Sequence, residues 1–415
     1  MPSKLVTRPS KKPITKKAPA PAKRALIKTP LPTATTAAAD SGQPGQLILS
    51  TTPTGPSWWG WALGISLLCL LLALLGNWWF KKYYHTQQPS KQTNQWSQSI
   101  PELSPLTAIA PLTGLPATPQ SAQRRPWAVV VENFPSARPQ SGLGAADLVF
   151  EAPTEGGITR FLALFQSQWP RGRIGPIRSA RPYFNDWTKI FGAFYSHSGG
   201  TSEALLDIKK SPGPAQDVNE FFNEQAYQRD DSIKAPHNLF TTPERFWNYA
   251  QAKGWITSFT AAPWHSFGPQ LPAALPVTSI TLPYYPQDYS VRYDYEPESG
   301  SYQRSLNGTR QTDALTDQPI EVKNAVVLLT DVTPVPDDPL LKVNIRTTGS
   351  GKILLFSQGQ RYEGRWQKSE ADGPLKFLTP QGTSLQLTPG NVWISIMDSQ
   401  LEKEIITQPA ALAPL

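Results

Sequence analysis

The sequence predicts an α/β first domain and a mostly antiparallel β second domain, after one transmembrane helix. Three observations predict this architecture. The segment from Trp58 to Phe80 has no charged residue and is long enough to cross a hydrocarbon core, which takes about 20 residues. Short apolar runs alternate with helical patterns over residues 111–255, which is typical of an α/β layer structure. After residue 277, short strands separated by turn signals favour antiparallel pairing.

Residues 1–57 are a basic tail rich in Pro, Lys, Ala and Thr, and we predict that this tail is disordered and cytoplasmic. The chain of 415 residues has a formal net charge of +8. Nine basic residues and one acidic residue precede Trp58, so the tail alone has a charge of 9 − 1 = +8. The rest of the chain is formally neutral. A nucleic-acid-binding domain would keep its basic residues on a folded face, so we expect no nucleic acid as a partner.

Tryptophans cluster at both ends of residues 58–80, near Trp58 and near Trp78, as two membrane–water interfaces favour. Nine basic residues precede the segment and two lysines follow it closely. The positive-inside rule therefore places the N-terminus in the cytoplasm and the C-terminal domains outside. We expect a single-pass protein whose membrane contact is the segment Trp58 to Phe80. The one cysteine, Cys69, lies inside this segment, so no intramolecular disulfide is possible.

Residues 81–110 are predicted to be an extracytoplasmic linker, and residues 111–255 the α/β domain. Strands are expected at residues 127–132, 147–151, 159–166 and 191–196. Helices are expected around residues 183–190 and 202–210, and after the cap Thr242, with Pro243 at the first helical position.

Residues 256–276 are predicted to be an irregular connector, residues 277–400 the β-rich domain, and residues 401–415 a C-terminal tail. Strands are expected at residues 279–282, 290–295, 325–329, 352–356 and 392–396. We expect Trp366 and Trp393 to be core residues rather than platforms for a sugar.

Motifs in a fixed order resemble the YerB-like lipoprotein family, a bacterial envelope family of unknown function. The motifs are Pro111-Leu-Thr-Gly-Leu-Pro116, Arg125-Pro-Trp-Ala-Val-Val-Val-Glu-Asn133, Ala137-Arg-Pro-Gln-Ser-Gly-Leu-Gly-Ala-Ala-Asp147, Glu155-Gly-Gly-Ile-Thr-Arg-Phe161, Ile174-Gly-Pro-Ile-Arg-Ser-Ala-Arg-Pro-Tyr183, His197-Ser-Gly-Gly200, Ala235-Pro-His-Asn-Leu239, Tyr302-Gln-Arg-Ser-Leu-Asn-Gly308, Gly364-Arg-Trp-Gln-Lys368 and Pro389-Gly-Asn-Val-Trp393. The resemblance implies two domains held on the outer face of the bacterial cytoplasmic membrane, and it implies no reaction. The sequence departs from the lipoprotein pattern in its anchor. Leu68 stands before Cys69, where a lipoprotein processing site needs a small residue, and we expect a transmembrane helix in place of the lipid.

Polar residues concentrate in the Gly- and Pro-rich loops of the first domain. Glu155 and Arg160 flank a Gly-Gly turn between two expected strands, and they would face a cleft or form an ion pair that fixes the turn. Arg178 and Arg181 lie three residues apart. They would bind a carboxylate or phosphate with paired hydrogen bonds, or pair with acidic residues of the same fold.

A second group of candidates follows the strand expected at residues 191–196. His197 would act as an acid, a base or a ligand, or it would be packed and bonded to the backbone. Gly199 and Gly200 would expose backbone N–H groups at a helix start, which favours anions. His237 and Asn238 form another polar loop, where packing is again the alternative.

The sequence has no metal-ligand spacing, no phosphate-binding loop and no dinucleotide fingerprint. We therefore predict no metal site and no cofactor. The first hypothesis is a module that binds an anionic cell-envelope component, such as a cell-wall polymer, through Arg178, Arg181 and the helix start after Gly200. The second is a scaffold for other envelope proteins, which would use the β-rich domain.

The third hypothesis is a hydrolase or transferase that acts on cell-wall material. Glu155 or Glu151, with His197 or His237, would transfer protons in such an enzyme. This form of the hypothesis requires that His197, His237 and Glu155 share one cleft.

Overall fold

The computed structural model describes residues 70–78, 107–210, 215–259, 264–269 and 275–410. The chain divides into two compact units, residues 1–95 and residues 96–415. The predicted tail (residues 1–57) and most of the predicted linker (residues 81–110) lie outside the described residues.

The first unit has one described helix, residues 70–78, with its leucines half or more exposed. No helix among the described residues is long and apolar enough to cross a membrane. The remainder of the predicted transmembrane segment, residues 58–69 and 79–80, lies outside the described residues.

The second unit is rich in β-sheet and has few helices. Its strands are β1 (Ala108–Ile109), β2 (Pro116–Ala117), β3 (Trp127–Glu132), β4 (Leu148–Pro153), β5 (Thr159–Phe165), β6 (Phe194–His197), β7 (Gln216–Asn219), β8 (Gln228–Arg229), β9 (Leu239–Phe240), β10 (Leu275–Leu282), β11 (Val291–Glu296), β12 (Ser301–Leu306), β13 (Thr309–Arg310), β14 (Glu321–Val322), β15 (Asn324–Thr330), β16 (Val332–Pro334), β17 (Val343–Ile345), β18 (Gly349–Ser357), β19 (Gln360–Lys368), β20 (Lys376–Leu378), β21 (Val392–Asp398) and β22 (Ile406–Pro409). The α-helices of this unit are α1 (Pro119–Ala122), α2 (Pro182–Ile190), α3 (Ser202–Lys210) and α4 (Pro243–Ala252). Short 3-10 helices span Pro135–Ala137, Leu143–Ala145, Glu155–Gly157, Glu220–Phe222, Glu224–Ala226, Gln287–Tyr289 and Ser399–Glu404.

In the described part of the chain, sixteen strands form one sheet that runs through both predicted domains. The strand order along its main path is β13-β12-β11-β10-β19-β18-β15-β21-β4-β5-β3-β6-β7, with β14, β20 and β22 paired at its side. The two predicted domains meet where β21 and β4 pair in parallel, with Val392 opposite Leu148. Strand β15 also runs parallel to β21, whereas the other pairs of the predicted second domain are antiparallel.

The parallel strands β3, β6 and β7 end at one edge of the sheet, which we call the carboxyl edge. Their last residues are Glu132, His197 and Asn219. Strand β5 is antiparallel to β3 and begins at the same edge, so that Arg160 lies opposite Glu132. The ends of parallel strands are where ligands bind in open α/β sheets.

Strand β3 is buried along its whole length because both faces of the sheet are covered. Val129 and Val131 face one core cluster, which includes Phe246 of α4. Ala128 and Val130 face the other, which includes helix α2. Burial on both faces explains why the strand is a continuous apolar run rather than an alternating one.

The helix expected after Thr242 is confirmed, and Thr242 Oγ1 accepts a hydrogen bond from Arg245 N at 3.1 Å. Trp366 and Trp393 are confirmed as core residues, at 1% and 2% exposure. The predicted C-terminal tail differs from the structure, because β22 lies within it and pairs with β10. The segment Ile406–Pro409 contains one large apolar residue and ends in proline, and both features weaken the strand signal. The domain boundaries stay predictions.

Candidate functional site

Six polar side chains gather at the carboxyl edge, and we call them the edge cluster. Glu132 ends β3 and Arg160 stands opposite it on β5. The other members come from loops beside these strands. They are Glu155 from the turn between β4 and β5, Arg178 and Arg181 from the loop before α2, and His237 from the loop before β9. The arginines predicted as ligand-binding residues are therefore brought together with two carboxylates.

Glu132 joins Arg178 to His237. Arg178 Nη2 donates to Glu132 Oε1 at 2.6 Å, and His237 Nδ1 lies 2.9 Å from Glu132 Oε2. The His237 ring stacks on Phe134 at a centroid distance of 5.3 Å. The Glu132 side chain is 6% exposed, whereas those of His237 and Arg178 are 18% and 21% exposed. The Glu132 carboxylate thus lies buried, and both of its side-chain partners reach the surface.

Glu155 is paired with Arg181 and Arg160, which is the ion-pair alternative expected from the sequence. Arg181 Nε donates to Glu155 Oε1 at 2.5 Å, and Arg160 Nη2 lies 3.6 Å from Glu155 Oε2. Burial opposes ionisation of Glu155, but the two guanidinium groups outweigh burial and lower its pKa. Burial, together with the charge of Arg181, lowers the pKa of Arg160 to about 10. Three cations and two anions therefore share this edge.

Two buried donors, one within the edge cluster and one beside it, have no hydrogen-bond partner among the described residues. They are Arg178 Nε and the hydroxyl of Tyr195. Burial raises the pKa of Tyr195, and the charge of Asp217 raises it further, whereas the charges of Arg181 and Arg160 oppose this shift. Buried polar groups are normally paired, and an orphan donor calls for an explanation, such as a water molecule or ligand that completes it.

His197 is fully buried and is held within the fold. Its Nδ1 lies 2.7 Å from the carbonyl oxygen of Gly199, and its Nε2 lies 2.9 Å from Asp217 Oδ1. A ring without exposed surface cannot line an open cleft with His237 and Glu155. The form of the enzyme hypothesis that requires all three residues in one cleft is therefore removed.

The first glycine of the pair after β6 uses its N–H within the chain. Gly199 N donates to Asn219 Oδ1 at 3.0 Å. At the start of α3, Ala204 N donates to Thr201 Oγ1 at 3.2 Å. An added Cβ at Gly200 would stand 3.1 Å from a methyl carbon of Leu205, so this glycine allows close packing. The helix start that was expected to attract an anion is thus capped by its own residues.

Asn238 is 6% exposed, and its Oδ1 accepts a hydrogen bond from Arg229 Nη1 at 3.2 Å. It lies next to His237 in sequence but takes no part in the bonds of Glu132. Among the described residues, no three His, Cys, Asp or Glu side chains are grouped so that they could hold a metal ion.

Sequence reasoning missed Glu132 as a site residue. The signal was available, because Glu132 is the one charged residue in an otherwise apolar strand, Trp127–Glu132. A carboxylate at the end of a buried strand needs a cationic or hydrogen-bonding partner nearby. Phe134 was also missed, and nothing in the sequence indicated its contact with His237.

A second polar centre lies inside the sheet, between the predicted domains. Glu151 of β4 and Arg304 of β12 are both 0% exposed, and their nearest side-chain atoms are 2.6 Å apart. Glu151 also accepts hydrogen bonds from Thr159 Oγ1 at 2.9 Å and from Trp393 Nε1 at 3.1 Å. This centre has no exposed surface, and it joins the two predicted domains instead of facing a ligand.

Comparison with known proteins identifies the family. Residues 112–256 match the N-terminal domain described as "Protein of unknown function (DUF3048)", and residues 280–394 match its C-terminal domain. A Bacillus subtilis (strain 168) protein named "Putative lipoprotein YerB" is 34% identical over 291 residues, covering 69% of this chain and 86% of that protein. The crystal structure of Bacillus subtilis YerB superposes with a TM-score of 0.64 at 33% identity, covering 72% of this chain and 99% of that one. The chain therefore belongs to the YerB-like DUF3048 family, whose function is unknown.

Proposed function

We propose that this protein binds an anionic component of the bacterial cell envelope at the edge cluster. The observation that supports this function is the meeting of Arg160, Arg178 and Arg181 at the carboxyl edge, where Arg178 Nε has no hydrogen-bond partner in the described part of the chain. Guanidinium groups bind phosphate and carboxylate with paired, charge-assisted hydrogen bonds. The ligand would be a peptidoglycan fragment or a phosphate-bearing polymer.

The charge balance supports an anion at this position. The three arginines face two carboxylates, Glu132 and Glu155, so an excess positive charge remains at the edge. All three guanidinium groups are partly desolvated, with side chains 11% to 21% exposed. A charge-assisted hydrogen bond is stronger in such a place than in open water.

We further propose that the folded part is held on the outer face of the cytoplasmic membrane through residues 58–80, with the N-terminus inside. The apolar, charge-free sequence of this segment and the nine basic residues before it support this topology. The lipoprotein name of the Bacillus subtilis relative supports the same side of the membrane.

The test uses residues 96–415, because this compact unit contains both matched family domains. The fragment is incubated with purified cell-wall sacculi, and the bound fraction is measured. Arg178→Ala is expected to weaken retention about 10-fold to 100-fold, since a hydrogen bond to a charged group contributes about 1.5–3 kcal/mol. Arg292→Ala, at an exposed Arg–Asp pair elsewhere, is the matched control. Equal retention of wild type and both variants would contradict the proposal.

Two adjacent exposed phenylalanines favour a scaffold as a second candidate function. Phe221 and Phe222, which follow β7, are 68% and 80% exposed. Exposed aromatic side chains of this kind are typical anchors of protein interfaces. A photo-crosslinking amino acid at position 222 should give specific adducts with envelope proteins in living cells, and Phe221→Ser in the same chain should abolish them. The absence of adducts would exclude this candidate.

A further inference from the structure

We propose that Glu132 and His237 form a proton-transfer dyad, and that the protein hydrolyses phosphate diesters held by the arginines of the edge cluster. This inference rests on the proposed function, because the same arginines would bind the substrate. It adds an activity, a substrate class and a role for Glu132.

The hydrogen bonds determine which nitrogen of His237 is available. Nδ1 lies 2.9 Å from Glu132 Oε2 and 3.4 Å from Arg178 Nη2. The arginine nitrogen is a donor only, and its contact is the longer one, so the carboxylate fixes the proton on Nδ1. Nε2 then keeps its lone pair, and it has no hydrogen-bond partner among the described residues. A carboxylate that orients an imidazole in this way prepares its second nitrogen as a general base.

Both members of the dyad are held by the fold. Glu132 N donates to the Pro176 carbonyl at 2.9 Å, and its own carbonyl accepts from Gln140 Nε2 at 3.0 Å. The His237 ring is stacked on Phe134 with only 13° between the ring planes. Such support reduces the reorganisation that proton transfer would otherwise need.

The surrounding cations favour phosphate chemistry over acyl chemistry. Arginine clamps stabilise the charge that develops on a transferring phosphoryl group, whereas acyl transfer relies on neutral donors aimed at one oxyanion. No hydrogen bond joins His237 to a serine or cysteine among the described residues, so water is the nucleophile. Arg178 shares Glu132 with His237 and thus lies where a bound phosphate would meet the base.

The reaction balances without a metal or cofactor. A water molecule gives one proton to His237 Nε2 as its oxygen forms a new bond to phosphorus. The phosphorus–oxygen bond to one ester group breaks, and that alkoxide or phenoxide takes a proton from solvent. The imidazolium then returns its proton to solvent, and the products are a phosphate monoester and an alcohol.

The test measures hydrolysis of bis(4-nitrophenyl) phosphate by residues 96–415. General-base catalysis contributes about 10²-fold to 10⁴-fold, so His237→Ala and the conservative His237→Gln should each lose at least about 10²-fold in kcat. Free imidazole should restore part of the rate in His237→Ala, because it can enter the space left by the ring. A merely structural histidine would not respond to added imidazole.

Two further variants separate positioning from binding. Glu132→Gln should lower kcat with little change in KM, because the amide no longer fixes the proton on Nδ1. Arg178→Ala should raise KM, and circular dichroism checks that each variant is folded.

Retention on sacculi without any hydrolysis by the wild type would overturn the dyad and leave the proposed binding function standing. Loss of both would remove both proposals. Hydrolysis that persists at the wild-type rate in His237→Gln would also overturn the dyad.

Discussion

Arg304→Met tests whether the buried pair of Glu151 and Arg304 holds the two predicted domains together. Methionine keeps much of the length of the side chain but removes its charge. In the variant, Glu151 would stay at 0% exposure with only the neutral donors Thr159 and Trp393. The Glu151 carboxylate would then be an uncompensated buried charge.

The magnitude follows from the burial of both partners. Removing one partner of a fully buried pair costs about 3–5 kcal/mol, most of it from the charge that remains. The Arg304 guanidinium also lies 4.6 Å from the centroid of the Trp393 ring, and that contact is lost as well. An exposed pair should behave differently: the side chains of Arg292 and Asp294 are 38% and 46% exposed, so Arg292→Met should cost less than about 1 kcal/mol.

The assay is urea unfolding of residues 96–415, with the free energy of unfolding obtained by linear extrapolation. The double variant Glu151→Gln with Arg304→Met removes both charges, and it should recover at least half of the loss seen in Arg304→Met alone. A cost below about 1 kcal/mol for Arg304→Met, or no recovery in the double variant, would refute the reasoning from buried charge.

Three other substitutions address the turn, a buried histidine and a helix cap. Gly157→Ala should lower the free energy of unfolding by about 1–3 kcal/mol more than Gly156→Ala does. Both glycines have positive φ, but only a Cβ at position 157 would collide with the Tyr285 carbonyl oxygen. Equal losses in urea unfolding would contradict this. Burial lowers the pKa of His265 to about 4 from an ordinary 6.5, so the unfolded chain binds the extra proton first. Wild type should therefore lose more stability than His265→Gln between pH 6.5 and pH 4, and parallel curves for the two proteins would refute the burial argument. Thr242→Ala should cost about 1 kcal/mol by removing the cap of α4, and a cost near zero would show that the cap bond is not formed in solution.

The local elements were largely predictable from the sequence because neighbouring residues determine them. The apolar run at residues 127–132 predicted β3, and the Thr242-Pro243 pair predicted the start of α4. Strands β12 and β19 were not predicted, because polar and charged residues occupy much of both. One face of β12 reaches the core all the same, and it supplies the buried Arg304.

The candidate site was predictable in part. The arginines and His237 stood out as polar residues in Gly- and Pro-rich loops. Their partners did not, because Glu132 and His237 are separated by 105 residues. Periodicity indicates which residues form a strand, but it does not tell which distant loop will lie over that strand's end.

The sequence by itself determined the composition of the tail, the apolar segment at residues 58–80, the order of the main strands and helices, and the resemblance to the family. Only the tertiary structure decided that β21 pairs with β4 to make one sheet of both predicted domains. It also decided that His197 is buried while His237 reaches the surface, and that Glu151 meets Arg304 across 153 residues. The physical reason is that local structure follows from the conformational preferences and periodicity of adjacent residues. Strand register and the pairing of buried charges instead depend on contacts between segments far apart in the chain, which only the packed core fixes.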